Sequence, residues 1–182
     1  GSEMCIRDRF FTVYGPWGRP DMALFKFTKN ILEDKEIDVY NNGNHSRDFT
    51  YVDDIVEGIY LSSISKKELI DSSFDSKDPS RSFCKSIIFN LGRGKPENLE
   101  DFIVEIENNL GKTAKRNLMP LQPGDVPDTS ADISGLKDFS GYEPKTSIKI
   151  GVKNFIDWYK EYYKVNLWKK LPSHVVCLPV SY

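Results

Sequence analysis

The sequence predicts an α/β fold that is a part of a doubly wound architecture rather than the whole of one. Strand-like and helix-like patterns alternate along the chain. The number of such units falls short of a complete doubly wound domain. No G-x-x-G-x-x-G loop follows a first strand.

Taken in order, Arg9-Phe-Phe-Thr-Val-Tyr14 is a dense β-branched and aromatic run ended by Gly15-Pro16, which reads as a strand buried on both faces. From Met22 to about Asp34, Leu24, Thr28, Ile31, Leu32 and Lys35 form a helical stripe that Phe25 and Phe27 widen. Ile37–Tyr40 is a short strand, and Asn41–Asn44 a turn, because Asn and Gly accept positive φ. Phe49–Val52 is extended. Asp53 or Asp54 can cap the next helix, whose Ile55, Val56, Ile59 and Tyr60 share one face. Residues 65–85, rich in Ser, Asp and Lys and without period, read as a solvated loop.

Ser86–Leu91 is the second strong strand, closed by Gly92 and Gly94. In Gly92-Arg-Gly-Lys-Pro96 the third glycine of a phosphate loop is missing and Pro96 intervenes, so a strand-to-helix turn is expected. Asn98 then caps a helix carrying Leu99, Phe102, Ile103, Ile106 and Leu110 and stopped by Gly111. A strand near Lys115–Met119, an irregular Gln122–Asp128 loop and a short helix around Ile133–Phe139 follow. Ile148, Val152, Phe155, Ile156, Tyr159 and Tyr163 line up on a last helix from Ser147 to about Lys164. The first eight residues have the look of a scar foreign to the fold, and residues 165–182, with two prolines and no period, read as a poorly packed tail.

Composition narrows the function classes. A chain of 182 residues, 39% hydrophobic and 29% charged, is in the range of one globular domain. A net charge of −2 with both signs interspersed leaves no basic field for a nucleic-acid backbone. Cys5, Cys84 and Cys177 stand far apart, which argues against a zinc site or a disulfide framework. Neither a membrane span nor a secretory signal is readable, and a cytoplasmic location is expected.

Three clusters suit an anionic, aromatic ligand. Tyr14-Gly-Pro-Trp-Gly-Arg-Pro-Asp21 puts Arg19 on a loop at the carboxyl end of a strand, where ligands of open α/β sheets bind; taken alone, Arg19 reads as a solvated charge. Arg47 lies between a turn and a strand. Its guanidinium can grip a diphosphate with two parallel hydrogen bonds, or pair with Asp48 or another carboxylate. His45 reads as an exposed turn residue. In Gln122-Pro-Gly-Asp125, Asp125 can accept from the hydroxyls of a ribose and Gln122 can donate, or Asp125 can simply form the turn. No Ser/His/Asp or Cys/His arrangement is readable, and Asp53-Asp54 suits a helix start better than acid/base work.

The runs Arg9–Ala23, Arg47-Asp-Phe-Thr-Tyr-Val-Asp-Asp-Ile-Val-Glu-Gly58, Phe89-Asn-Leu-Gly92 and Gln122-Pro-Gly-Asp-Val-Pro127 strongly resemble the UDP-glucuronate 4-epimerases of the NAD-dependent epimerase/dehydratase family, extended short-chain dehydrogenases. The resemblance runs from about Arg9 to Tyr163. It implies the C-terminal part of such an enzyme: an incomplete Rossmann sheet plus a small α/β substrate-binding domain, over residues 9–164. By resemblance, Arg47 matches the diphosphate-binding arginine, and Asp125 and Gln122 the loop that closes over ribose and diphosphate. Tyr40 falls where an aromatic packs on uracil, and Met22 and Ala23 where the chain passes the base. Thr12 and Arg19 match positions near the hexose and its carboxylate. Lys26 is a further phosphate or sugar contact, and Phe10 and Val13 lie beside the nicotinamide.

The family's reaction oxidises the sugar C4 hydroxyl with bound NAD, lets the 4-keto sugar turn over, and returns the hydride to the opposite face. Its Ser or Thr, Tyr and Lys proton relay is expected in an N-terminal half that precedes Arg9, so the chain alone is expected to be inactive. No metal is implied, and a homodimer is implied for the complete enzyme. Three readings are weighed: a fragment of an epimerase acting on a UDP-sugar, a stand-alone UDP-sugar-binding module, and a dehydratase or decarboxylase on the same scaffold. The first is favoured because recognisable patterning begins inside a strand, which also predicts that the isolated chain aggregates.

Overall fold

The structure, a computed structural model, describes residues 5–65, 81–82 and 86–165. Nearly all of the segment expected as a solvated loop, and all but Val165 of the tail expected over residues 165–182, lie outside the described residues; Val165 itself packs against the larger core. Nine strands and five helices follow in the order β1 (Cys5–Phe10), β2 (Thr12–Tyr14), α1 (Ala23–Leu32), β3 (Glu36–Val39), β4 (Ser46–Arg47), β5 (Phe49–Tyr51), α2 (Val52–Ile64), β6 (Arg81–Ser82), β7 (Ser86–Leu91), β8 (Glu97–Asn98), α3 (Leu99–Leu110), β9 (Lys115–Leu118), α4 (Ser134–Ser140) and α5 (Ile148–Tyr162) among the described residues. A single 3-10 turn, Tyr40–Gly43, links β3 to β4.

The run expected as one strand over Arg9–Tyr14 is two strands in two sheets, and it starts earlier, at Cys5. β1 pairs in parallel with β7, from Cys5 opposite Ser86 to Phe10 opposite Leu91. Phe11 still donates its N–H to Leu91 O at 3.2 Å, and from Thr12 onward the chain pairs with β5 instead. The strand is not buried on both faces either: Arg9 is exposed, Phe10 is 50% exposed, and of Arg9–Tyr14 only Tyr14 is buried. β1 is also an edge, paired on one side only among the described residues.

Two cores result. The larger lies between α1, α3 and α5 and the strands β2, β3 and β5, with Phe25, Ile31, Ile37, Phe49, Phe102, Ile103, Ile106, Phe155 and Ile156 among its members. Phe49 and Phe102 stack at 4.2 Å between centroids, and Tyr14 meets Phe102 edge-on. The stripe on α3 holds, with Phe102, Ile103, Ile106 and Leu110 buried; on α1 Leu24, Thr28 and Ile31 are buried, but the helix ends at Leu32, so Lys35, expected at the end of the stripe, lies beyond it and is exposed. Gly111 ends α3 at φ 65°, a conformation that costs glycine little. Asn98 stands at the N-cap without accepting a helix amide, and it also pairs across β8 with β4, which periodicity did not show.

The smaller core gathers Ile55 of α2, Ile87, Phe89 and Leu91 of β7, Leu136 and Phe139 of α4, and Tyr142. Here α2 corrects the expected stripe. Its buried face is Asp54, Ile55, Gly58 and Ser62, while Val56, Ile59 and Tyr60 are exposed. Close approach decides which face turns inward: a Cβ on Gly58 would stand 2.9 Å from both Leu91 and Tyr142. Nor does Asp54 cap α2, whose N-cap position is Tyr51; Asp54 accepts the N–H groups of Lys145 (3.2 Å) and Thr146 (3.0 Å) and so ties α2 to the approach of α5.

Candidate functional site

The loop after β2 bends around a small cleft. Thr12, Val13, Gly15, Gly18, Arg19, Met22 and Ala23 line a cavity of about 40 Å³ whose floor is the aromatic core of Phe25, Phe49, Phe102 and Phe155. Four residues expected near the sugar and base, Thr12, Arg19, Met22 and Ala23, therefore come together, with Val13 among them. Met22 stands at the N-cap of α1 and offers no side-chain hydrogen bond there. Arg19 is exposed and forms a forked pair with Asp21, Nε to Oδ1 at 3.0 Å and Nη2 to Oδ2 at 2.5 Å, which holds the Asp21 carboxyl below its ordinary range. Trp17, in the same loop at φ 61°, packs outward against Trp158 and Tyr162 of α5.

A second group forms where residues 122–129 lie along β4. Ser46 donates its N–H to Pro127 O at 3.0 Å and accepts from Thr129 N at 3.1 Å, and its hydroxyl donates to Asp128 at 2.6 Å. Arg47 extends the seam with Nη2 to Asp125 Oδ1 at 2.9 Å and Nη1 to Pro127 O at 2.7 Å. Of the two partners left open by sequence, Arg47 thus pairs with another carboxylate, not Asp48. Successive strand residues point to opposite faces, so a direct Arg47–Asp48 pair is geometrically disfavoured. Gln122 is exposed, and its carbonyl accepts from Asp125 N at 3.1 Å to close the turn that presents Asp125.

His45 is not the exposed residue expected. Its side chain is 4% exposed, with Nδ1 3.2 Å from Pro127 O and Nε2 3.5 Å from Asp125 Oδ2. Sequence reading could not find it because the groups that bury it lie some eighty residues later in the chain.

The second residue missed is Asp48, fully buried. Its carboxylate accepts the N–H of Arg93 (2.7 Å), Gly94 (2.9 Å) and Ala131 (3.0 Å) and the hydroxyl of Thr50 (3.1 Å). The Gly92–Gly94 turn therefore spends its amides on a protein carboxylate, in keeping with a structural turn and not a phosphate cradle. The same clamp fixes the strand that bears Arg47 and the chain leaving the 122–129 seam. The remaining expected residues are spread: Tyr40 opens the turn after β3, half-buried, and Lys26 is exposed on α1.

Thr12 sits directly opposite Phe49, two residues beyond Arg47, so the cleft and the guanidinium lie on neighbouring chain segments. The residues at hand suit an anion: a guanidinium at the cleft, another at the seam with hydrogen-bonding groups beside it, and an apolar floor in the cleft. For NAD, the chain offers Phe10 and Val13, apolar groups about the β1–β2 break, which suit one flank of a flat ring and not a whole dinucleotide site. No group of three metal-ligating side chains occurs among the described residues. No described helix is long and apolar enough to cross a membrane.

Residues 5–69 match the model of the NAD dependent epimerase/dehydratase family. Over 159 residues the chain is 54% identical to the protein CapI of Staphylococcus aureus, covering 86% of this chain and 47% of that protein. It is 44% identical over 160 residues to UDP-glucuronate 4-epimerase 2 of Arabidopsis thaliana, covering 86% and 36%. The crystal structure of UDP-glucuronic acid 4-epimerase from Bacillus cereus in complex with UDP-glucuronic acid and NAD superposes with a TM-score of 0.73 at 33% identity, covering 86% of this chain and 45% of that one. The chain thus spans under half the length of these relatives. Residues 5–69 thus carry a segment of the NAD dependent epimerase/dehydratase family, and along most of its length the chain, an α/β fold with parallel strands, is similar to a part of the UDP-glucuronate 4-epimerases.

Proposed function

We propose that this chain is the UDP-sugar-binding part of a nucleotide-sugar 4-epimerase which, when complete, interconverts UDP-glucuronate and UDP-galacturonate at C4 with NAD as redox cofactor. Arg47 binds the diphosphate, and Asp125 and Gln122 close over the ribose and diphosphate. Tyr40, Met22 and Ala23 border the uracil, with Lys26 at the rim. Thr12 and Arg19 hold the hexose, where the Arg19 guanidinium suits a sugar carboxylate. Phe10 and Val13 flank the nicotinamide. The proton relay belongs to a part of the enzyme outside this sequence, so the chain alone is expected to bind and not to turn over substrate. In this reading residues 9–164 form the substrate-binding region, and the complete enzyme is a cytoplasmic homodimer.

The observation that carries the proposal is the meeting of Arg47 and Asp125, 78 residues apart in sequence and 2.9 Å apart in space. Two groups suited to opposite parts of a nucleoside diphosphate stand together at one seam. The named relatives support the choice of a glucuronate substrate over a neutral sugar. Replacing Arg47 with Ala, in this chain and at the matching arginine of a complete relative, is expected to weaken UDP-sugar binding by about 1.5–3 kcal/mol, the loss of a charged hydrogen bond. Calorimetric titration measures it, and an affinity that does not change refutes the assignment.

A further inference from the structure

Trp17 adopts an uncommon backbone conformation and yet buries little of its side chain. Gly18 donates its N–H to Gly15 O at 3.2 Å, which closes a four-residue turn around Pro16 and Trp17. Proline fixes the first central residue at negative φ, and Trp17 follows at φ 61°. That sequence of angles is a type II turn, whose second central position favours glycine or asparagine. A bulky side chain there is strained. Burial does not offset the strain, because Trp17 remains 73% exposed.

What the ring does touch is α5. Its centroid lies 5.3 Å from that of Trp158, tilted, and 5.0 Å from that of Tyr162, edge-on. Aromatic pairs in such arrangements hold each other by their quadrupoles as well as by contact area. The indole is not part of the cleft lining, whereas its neighbours Gly15, Gly18 and Arg19 are. Arg19 has few other supports. Its fork with Asp21 lies on the surface, where an ion pair holds weakly. Met22 donates its N–H to Arg19 O at 3.1 Å and joins the loop to the start of α1. Arg19 is therefore held from α1 on one side and, through Trp17, from α5 on the other.

We infer that Trp17 is a positioning residue that pins the Gly15–Arg19 turn to α5 and thereby makes the site prefer a nucleotide-linked acidic sugar over a neutral one, an inference that rests on the proposed role of Arg19. A guanidinium already fixed in place meets a sugar carboxylate without first having to be ordered. A neutral hexose offers no such charge and draws no benefit from the fixed loop. Affinity common to both sugars comes from Arg47 and the seam with Asp125. The strained turn and the outward ring then have one explanation: the indole serves the residue two places further on.

Calorimetric titration of the 182-residue chain with UDP-glucuronate and with UDP-glucose tests this. Trp17→Gly suits the φ of the turn and removes only the ring. It is expected to weaken UDP-glucuronate binding about fivefold, the scale of one exposed ion pair, and to leave UDP-glucose within about twofold. Trp17→Tyr restores an aromatic contact and is expected to recover the difference. Tyr162→Ala takes away part of the contact from the α5 side; it is expected to give a smaller loss of the same selectivity, and none in addition to that of Trp17→Gly. A ring that merely stabilised the fold would lower both affinities along with the melting temperature. Equal losses for the two sugars, no loss for either, a tyrosine variant that binds like the glycine one, or additive losses in the double variant overturn the inference. If neither sugar nucleotide binds the unmodified chain, the nucleotide reading falls, and the ligand-free chain still decides the role of Trp17. Trp17→Gly is then expected to lower the ¹⁵N heteronuclear NOE of the Gly18 and Arg19 amides, and unchanged values refute the pinning.

Discussion

Asp48 concentrates in one carboxylate what ties two distant segments to its own strand: β7 through the turn at Arg93 and Gly94, and the chain entering α4 through Ala131, with Thr50 bonded beside it. A fully buried charge is tolerable only when its oxygens are saturated in this way. Asp48→Asn places an NH₂ against backbone donors and is expected to cost about 2–4 kcal/mol, read as a lower urea midpoint at unchanged slope. The sequence offered Asp48 only as a possible partner for Arg47. What it is depends on amides 45 and 83 residues away, which no local pattern encodes. Arg47, Asp125 and the Thr12–Ala23 loop stand out in the sequence for the opposite reason: their residue types and turn chemistry are local and already narrow what they can do.

Among the elements, helices were read well where a stripe meets one core, as on α1, α3 and α5, and poorly where small or polar residues face inward. On α2 the inward face is Asp54, Gly58 and Ser62, so ranking by hydrophobicity selected the wrong side. The division of one apolar run into β1 and β2 was equally hidden, since an edge strand and a buried one share composition when the partner is unknown. α5 shows the complementary constraint. A Cβ on Gly151 would lie 2.2 Å from Tyr14 Oη and 2.7 Å from its Cζ. Gly151→Ala must push the Tyr14 ring toward Phe49 and Phe102, at an expected cost of about 1–3 kcal/mol in thermal unfolding. A melting temperature equal to that of the unmodified chain would mean that the ring has room to move.

Over the whole molecule, each core contains a tyrosine whose hydroxyl is pushed well above the ordinary tyrosine range by burial: Tyr14 in the larger, Tyr142 in the smaller, where its hydroxyl donates to Gly92 O at 3.0 Å. Because the folded value is raised, their contribution is complete below the unfolded tyrosine pKa of about 10 and is lost as pH climbs beyond it. Alkaline titration is therefore expected to unfold both cores together. Absorbance at 295 nm should rise for Tyr14 and Tyr142 as the far-ultraviolet circular dichroism collapses; ionisation of these two in a chain that keeps its dichroism would contradict the packing described.

The α2 ridge carries a consequence for handling the chain. Val56, Ile59, Tyr60 and Ile64 stand 58%, 40%, 60% and 51% exposed along one side of the helix, chemically indistinguishable from what the cores enclose. Water wets such a strip reluctantly, so the chain is adhesive there: crowding it in a tube brings ridge to ridge, and dilution is the simplest means of keeping molecules apart.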